Sequence, residues 1–233
     1  MAYDGSMIVI SGVSGGIGGD LVRDLLPLDR VLGIFHRTVP NLIASDRLEL
    51  ESVDLSDRAA IKHMIARRRP SFSRLTLIHC ATVSIDGLIA QYSEESWDKV
   101  MDVNLKGVFS LTQSLLPVMM AERWGRIIHI SSIVAEKGEA GAIAYGASKA
   151  GLSGFSRGLA KEYARFNVTS NVLRLGFFES GLGAKLPADR RARIMEQIPS
   201  RRFGATRDIA AAVEFVMRCD YVSGSTISID GAI

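Results

Sequence analysis

The strongest constraint on this chain is a rhythm in which short, continuously apolar runs alternate with longer segments of helical period. Runs at residues 7–11, 30–35, 48–54, 75–81, 125–131, 168–173 and 226–229 read as strands. Unbroken apolar character, without polar alternation, suits strands covered on both faces. Helical patterns at 17–26, 57–69, 94–123, 142–166 and 207–218 separate them. A strand, a helix and a parallel return strand close with one hand. The alternation therefore predicts an α/β fold: a doubly wound, mainly parallel seven-stranded sheet with helices on both faces. No repeat, low-complexity tract or linker interrupts the 233 residues, so one domain over 1–233 is expected. Only residues 176–204 break the rhythm, with a short helical pattern at 187–198. Insertions at the carboxyl end of a strand are where such folds carry substrate lids. A lid is expected at about 176–204, with an ordinary connection as the plainer alternative.

Composition removes several function classes. The formal charge of +3 is too small to argue for nucleic acid, and no run of about 20 apolar residues offers a membrane span. Cys80 and Cys219 lie far apart, and the four His residues form no metal-ligand spacing. The polar start and the short apolar run at 7–11 give no signal segment, so the cytoplasm is the expected location.

The first strand runs straight into Ser11-Gly12-Val13-Ser14-Gly15-Gly16-Ile17-Gly18, and a helix follows. Glycines let backbone approach a pyrophosphate closely, and a helix N-terminus stabilises that anion. Such a Rossmann-type turn makes Gly12, Ser14, Gly16, Ile17 and Gly18 candidate cofactor-binding residues. The second strand ends in Phe35-His36-Arg37-Thr38, with no carboxylate to accept from a ribose 2′-hydroxyl. A guanidinium there can pair with a 2′-phosphate instead, so Arg37 points to NADP(H).

Tyr145 and Lys149 stand four apart at the start of a predicted helix, on one face. An ammonium beside a phenol favours the phenolate, so the Tyr145 pKa is expected to fall. Ser132 closes the fifth strand, where its hydroxyl meets the crevice beyond the carboxyl edge. Asn104 sits within a helical pattern that disfavours it, and so asks for a reason.

In order and spacing, Gly12-x-x-x-Gly16-x-Gly18 and the set Asn104, Ser132, Tyr145 and Lys149 resemble the short-chain dehydrogenase/reductase family. The runs 125–132, 145–152, 198–204 and 221–224 look like its 3-oxoacyl-[acyl-carrier-protein] reductase branch. The resemblance implies that Ser132 orients a carbonyl, Tyr145 donates a proton, Lys149 binds ribose and assists Tyr145, and Asn104 holds a relay water. It also implies cofactor contacts at Asp54, Leu55, Ala81, Tyr145 and Lys149. The expected activity is NADPH-dependent reduction of a 3-oxoacyl thioester in fatty-acid or polyketide-type synthesis. The alternatives are an oxidoreductase of a free sugar, polyol or cyclic alcohol, and a non-catalytic cofactor-binding regulator. An acyl carrier protein is the implied partner, through Arg123, with Arg165 beside the family's second position. A homotetramer or homodimer through the segments 94–123 and 142–166 is implied as well.

Three departures mark a divergent member. His79-Cys80-Ala81-Thr82 replaces Asn-Asn-Ala-Gly, Leu175-Gly176 replaces Pro-Gly, and Asp230-Gly231-Ala232 replaces Asp-Gly-Gly. Within 176–204, Phe177, Phe178, Leu182, Leu186, Ile194, Met195 and Ile198 can line an acyl pocket or simply pack. Arg190, Arg191, Arg193, Arg201 and Arg202 form a basic cluster that can meet an acidic carrier or stand as a solvated face.

Overall fold

The computed structural model describes residues 6–43 and 45–233. Seven strands among them form one sheet: β1 Met7–Ser11, β2 Arg30–Phe35, β3 Leu48–Ser52, β4 Leu75–His79, β5 Gly125–Ser132, β6 Val168–Leu175 and β7 Thr226–Ile229. Their order is β3-β2-β1-β4-β5-β6-β7, and every neighbouring pair is parallel. The chain winds outward through β2 to β3, then crosses to the other side of β1. Connections leave the sheet in opposite directions between β1 and β4, opening a crevice beyond the strands' carboxyl ends.

The helices are α1 Gly16–Leu25, α2 Arg58–Arg68, α3 Glu94–Met101, α4 Gly107–Glu122, α5 Val134–Lys137, α6 Ile143–Tyr163, α7 Ala188–Gln197 and α8 Thr206–Arg218. Alternate strand residues feed two cores. Val9, Leu32, Leu77 and Ile127 pack with Ile61 of α2, Leu111 and Leu115 of α4 and Leu159 of α6. Ile8, Ile10, Ile78, Ile128 and Leu173 pack on the opposite face with Leu21 and Leu25 of α1 and Ile209 and Val213 of α8. Both faces are covered, which is why the runs lack polar alternation. Each such aliphatic side chain contributes roughly 1.5–3 kcal/mol on burial.

The expected single helix over 94–123 is interrupted. Between α3 and α4, Asp102–Lys106 forms a π-helical turn, which admits one extra residue and leaves Asn104 buried. The short α5 was not expected either; it fills the space between β5 and α6. Segment 176–204 returns to its own start. Phe178 pairs with Gly204 in a parallel bridge, and the Gly204 amide donates to the Phe177 carbonyl at 2.9 Å. Ile194, Ile198 and Phe203 form a small core of their own there, and Phe178 joins the main one. For these residues packing is the role the structure shows, while Leu182 is exposed.

An unusual pair lies in the sheet. His79 on β4 and His129 on β5 stack with ring centroids 5.1 Å apart, both buried. His79 Nε2 meets Thr112 Oγ1 at 2.8 Å and His129 Nε2 meets Ser170 Oγ at 3.1 Å. Burial first, then the neighbouring Lys149 charge, pushes the His129 pKa down to about 3; His79 is depressed by burial, His129 and Lys149. Both rings are neutral in the fold, but they protonate in the unfolded chain once the pH falls below about 6.5. Their contribution is therefore complete above that value and is lost on acidification. His129 alone is expected to remove about 1.4 kcal/mol per pH unit below 6.5. Urea denaturation at pH 7.5 and 4.5 measures it, and His129→Gln should flatten the slope. An unchanged slope would contradict a buried neutral pair.

Candidate active site

The crevice is built from the glycine turn upward. The amides of Gly12 and Val13 donate to the Ile34 carbonyl at 2.8 and 3.2 Å, locking the turn to β2. Gly12 has φ +81°, and a Cβ there would lie 2.5 Å from Ala81 Cα, so no other residue fits without movement. A Cβ on Gly18 would overlap the Gly12 carbonyl, and one on Gly16 would meet the Gly181 amide nitrogen at 2.5 Å. Ser11 Oγ accepts from the amides of Cys80 and Ala81 at 3.2 and 3.3 Å, tying the ends of β1 and β4 together. The first turn of α1 has no side-chain cap at Gly15, so its N–H groups face the turn uncapped. A glycine cradle that a side chain would fill, under an uncapped helix N-terminus, fits a pyrophosphate.

Beyond the turn opens a cleft of about 880 Å³. Gly12, Ser14, Arg37, Asp54, Leu55 and Ala81 all line it. Gly16, Ile17 and Gly18 lie in the turn and the first turn of α1, with Ile17 packed against Gly181. Arg37 is exposed at the rim, at the end of β2. Asp54 Oδ1 accepts from the amide and hydroxyl of Ser56 at 2.9 and 2.7 Å, and its Oδ2 lies 3.3 Å from His36 Nε2. Burial raises the Asp54 carboxyl, but the Ser56 hydrogen bonds and the charges of His36 and Arg37 outweigh it and hold it below its ordinary value.

The other four candidates gather at the ends of β5 and the π-helical turn. Tyr145 and Lys149 share the first turns of α6, and Ser132, at the end of β5, stands close enough for its hydroxyl to act on the Tyr145 phenol. Asn104 reaches the same helix through Ser148: its Nδ2 donates to Ser148 Oγ at 3.1 Å, and Ser148 Oγ donates to the Tyr145 carbonyl at 2.7 Å. Asn104 also bridges the loop after β4, accepting from the Val83 amide at 2.8 Å and donating to its carbonyl at 2.9 Å. The Ser148 bridge was not anticipated. The signal was in the sequence, since a Ser three residues after Tyr145 in a helix can bond back to its carbonyl.

The electrostatics correct one expectation. Lys149 is buried, and its Nζ donates to the Ile130 carbonyl at 2.8 Å while lying 5.7 Å from the Tyr145 ring centre. Burial pushes the Lys149 pKa down to about 8, with the Cys80 thiol pulling the other way. Tyr145 does not fall: burial raises its phenol, the Ser132 hydrogen bond only partly opposing, and Cys80 adds to the rise. Cys80 is itself pushed up to about 11 by burial. The phenol is therefore protonated at neutral pH, the form that can donate.

The basic cluster on 176–204 is largely engaged. Arg191 pairs with Glu179 and lies over the Phe203 ring, Arg193 pairs with Asp189, Arg202 with Asp208, and Arg190 stands 3.5 Å from Glu139. Arg201 donates to the Glu196 carbonyl at 2.7 Å. Arg123, at the end of α4, is exposed and donates to the Arg165 carbonyl at 3.1 Å. Among the described residues no cluster of His, Cys, Asp and Glu could hold a metal ion, and no helix is long and apolar enough to cross a membrane.

Comparison with known proteins agrees with this geometry. The family model for short chain dehydrogenases matches residues 6–191. Nodulation protein G of Rhizobium sp. (strain N33) is 36% identical over 237 residues, covering 98% of this chain and 97% of that protein. The 3-oxoacyl-[acyl-carrier-protein] reductase of Salmonella typhimurium is 32% identical over 241 residues, covering 100% and 99%. That of Rickettsia conorii is 34% identical over 237 residues, covering 98% and 97%.

Proposed function

The chain belongs to the short-chain dehydrogenase family and is an oxidoreductase, and from that premise we propose that it reduces a 3-oxoacyl thioester to the 3-hydroxyacyl thioester with NADPH. The observation that carries this reading is a Tyr145 phenol held protonated beside Ser132, with the buried Lys149 one turn further along α6. A carbonyl oxygen placed between these two hydroxyls can accept from both. Ser132 orients it, and Tyr145 gives up its proton as charge develops on the oxygen. Lys149 supports the phenolate left behind and holds the ribose, and Asn104 keeps a water for proton return. The bound nicotinamide supplies the hydride.

Gly12, Ser14 and the first turn of α1, with Gly16, Ile17 and Gly18, hold the pyrophosphate. Asp54 and Leu55 flank the adenine, Ala81 the adjoining ribose, and Arg37 the 2′-phosphate. The acyl group arrives on a carrier protein that meets Arg123, with residues 176–204 as a lid, in a cytoplasmic homotetramer or homodimer. The pairing of the arginines on 176–204 favours a second reading, a free small carbonyl compound as substrate, because it leaves less open positive charge for an acidic carrier.

Oxidation of NADPH with a short 3-oxoacyl thioester, against a panel of free ketones and sugars, separates the two. Preference for the free compounds would replace the first reading by the second. Arg37→Ala is expected to raise the KM for NADPH about 10- to 100-fold, the worth of a hydrogen bond to a charged group, and to leave NADH little changed. Equal losses on both cofactors would remove Arg37 from 2′-phosphate recognition.

A further inference from the structure

One carboxylate outside the site holds three elements at once. Asp20, one turn into α1, accepts through Oδ2 from Ser180 Oγ at 2.6 Å and from Thr206 Oγ1 at 3.0 Å. Its Oδ1 accepts from Arg23 at 2.6 Å. Ser180 lies just after the first root of the 176–204 segment, and Thr206 opens α8 just after the second. The two roots are already stitched to each other, the Glu179 amide donating to the Gly204 carbonyl at 3.0 Å. Residues 181–203 hang between them.

These roots rest on the glycine turn itself. A Cβ on Gly16 would meet Gly181 N at 2.5 Å and Ser180 Oγ at 2.6 Å, and Gly181, at φ +67°, would press a Cβ onto the Ile17 side chain. The helix dipole favours a carboxylate at this place, but the site does not. A negative charge one turn into α1 repels the anion that its N-terminus is shaped to receive. Asp20 offsets that cost only if its hydrogen bonds do something for the site.

We propose that Asp20 is a positioning residue that pins both roots of the 181–203 segment to the glycine-loop helix and so sets how that segment closes over the site. The pin stands on the two hydrogen bonds from Ser180 and Thr206; its kinetic consequence rests on the reductase reading above. Loss of the pin frees the segment at both ends together, since one oxygen holds Ser180 and Thr206.

Hydrogen–deuterium exchange on the full chain reads the pin directly. Asp20→Ala is expected to speed exchange across 181–203 about tenfold, the loss of hydrogen bonds to a charged acceptor, and to leave the amides of β1, β4 and β5 unchanged. Asp20→Asn keeps a carbonyl acceptor and should lie between; if the alanine variant does not fold, it decides alone. In turnover, Asp20→Ala should raise the thioester KM about tenfold while kcat changes little and the cofactor KM does not rise. Unchanged exchange over 181–203 overturns the proposal, and so does faster exchange spread evenly through the sheet. A wild-type enzyme that reduces no thioester defeats the substrate reading instead, and the exchange comparison still decides the pin.

Discussion

Tyr145→Phe is expected to lower kcat by roughly 10²–10⁴-fold, the span that a positioned general acid contributes. The ring is kept, so its packing and the approach of Lys149 at 5.7 Å persist. Only the phenol hydroxyl, on the side of Ser132, is removed. Cofactor affinity, measured by fluorescence titration, should stay within about fivefold, because a single hydrogen bond is worth about 1 kcal/mol. Turnover near the wild-type rate would reject Tyr145 as the proton donor, and with it the pair of hydroxyls on which the proposed reaction stands.

The second large effect divides activity from stability. Lys149→Met should lower kcat/KM by a comparable factor and yet leave the folded protein at least as stable. A lysine held to a pKa of about 8 is an ammonium kept against its burial, which costs on the order of 3 kcal/mol at neutral pH relative to an ordinary lysine. Methionine removes that cost but leaves the Ile130 carbonyl without its donor, a penalty of about 1–3 kcal/mol. The net expectation is no loss, or a gain of up to about 2 kcal/mol. The pH dependence gives a sharper test. Above about 8 the folded Lys149 releases its proton while the unfolded one keeps it, so wild-type stability should rise from pH 8 to pH 9. Beyond about 9 the Cys80 thiol, raised to about 11, acts in the opposite sense. Guanidinium denaturation at pH 8 and pH 9 should show a rise of about 1 kcal/mol in the wild type and none in Lys149→Met. A rise of equal size in the variant would mean that another group is titrating.

Much of the fold was legible because burial on both faces writes itself into the strands. Val9 and Ile10 point to opposite cores, and both must be apolar. The glycine turn was legible for the same kind of reason, since Gly12 fills a position that a Cβ would overlap. Asn104 was flagged by its poor fit to a helix, but nothing local announces a π-helical turn. Its stability comes from Val83 and Ser148, which are 21 and 44 residues away in sequence. The sign of the Tyr145 shift was misjudged because spacing gives proximity and not depth. Four residues place an ammonium near a phenol, but only the tertiary structure shows that the ammonium donates to Ile130, that Lys149 is buried and that Tyr145 is half-buried. The arginines of 176–204 likewise read as one patch until their carboxylate partners, Glu139 and Asp208 among them, appear from other segments.

The extra residue in the Asp102–Lys106 turn also fixes a phase relation. Successive helical residues advance by about 100°, so one residue more or less rotates everything downstream by that angle. Asn104 must face the loop after β4 while Leu111 and Leu115 of α4 face the sheet. A single deletion that restored an unbroken α-helix would keep one of these orientations and swing the other by more than a quarter turn. The length of this helix is thereby locked to a whole number of residues by two unrelated demands, one polar and one apolar. Relatives carrying insertions should place them in the connections and leave this helix at constant length.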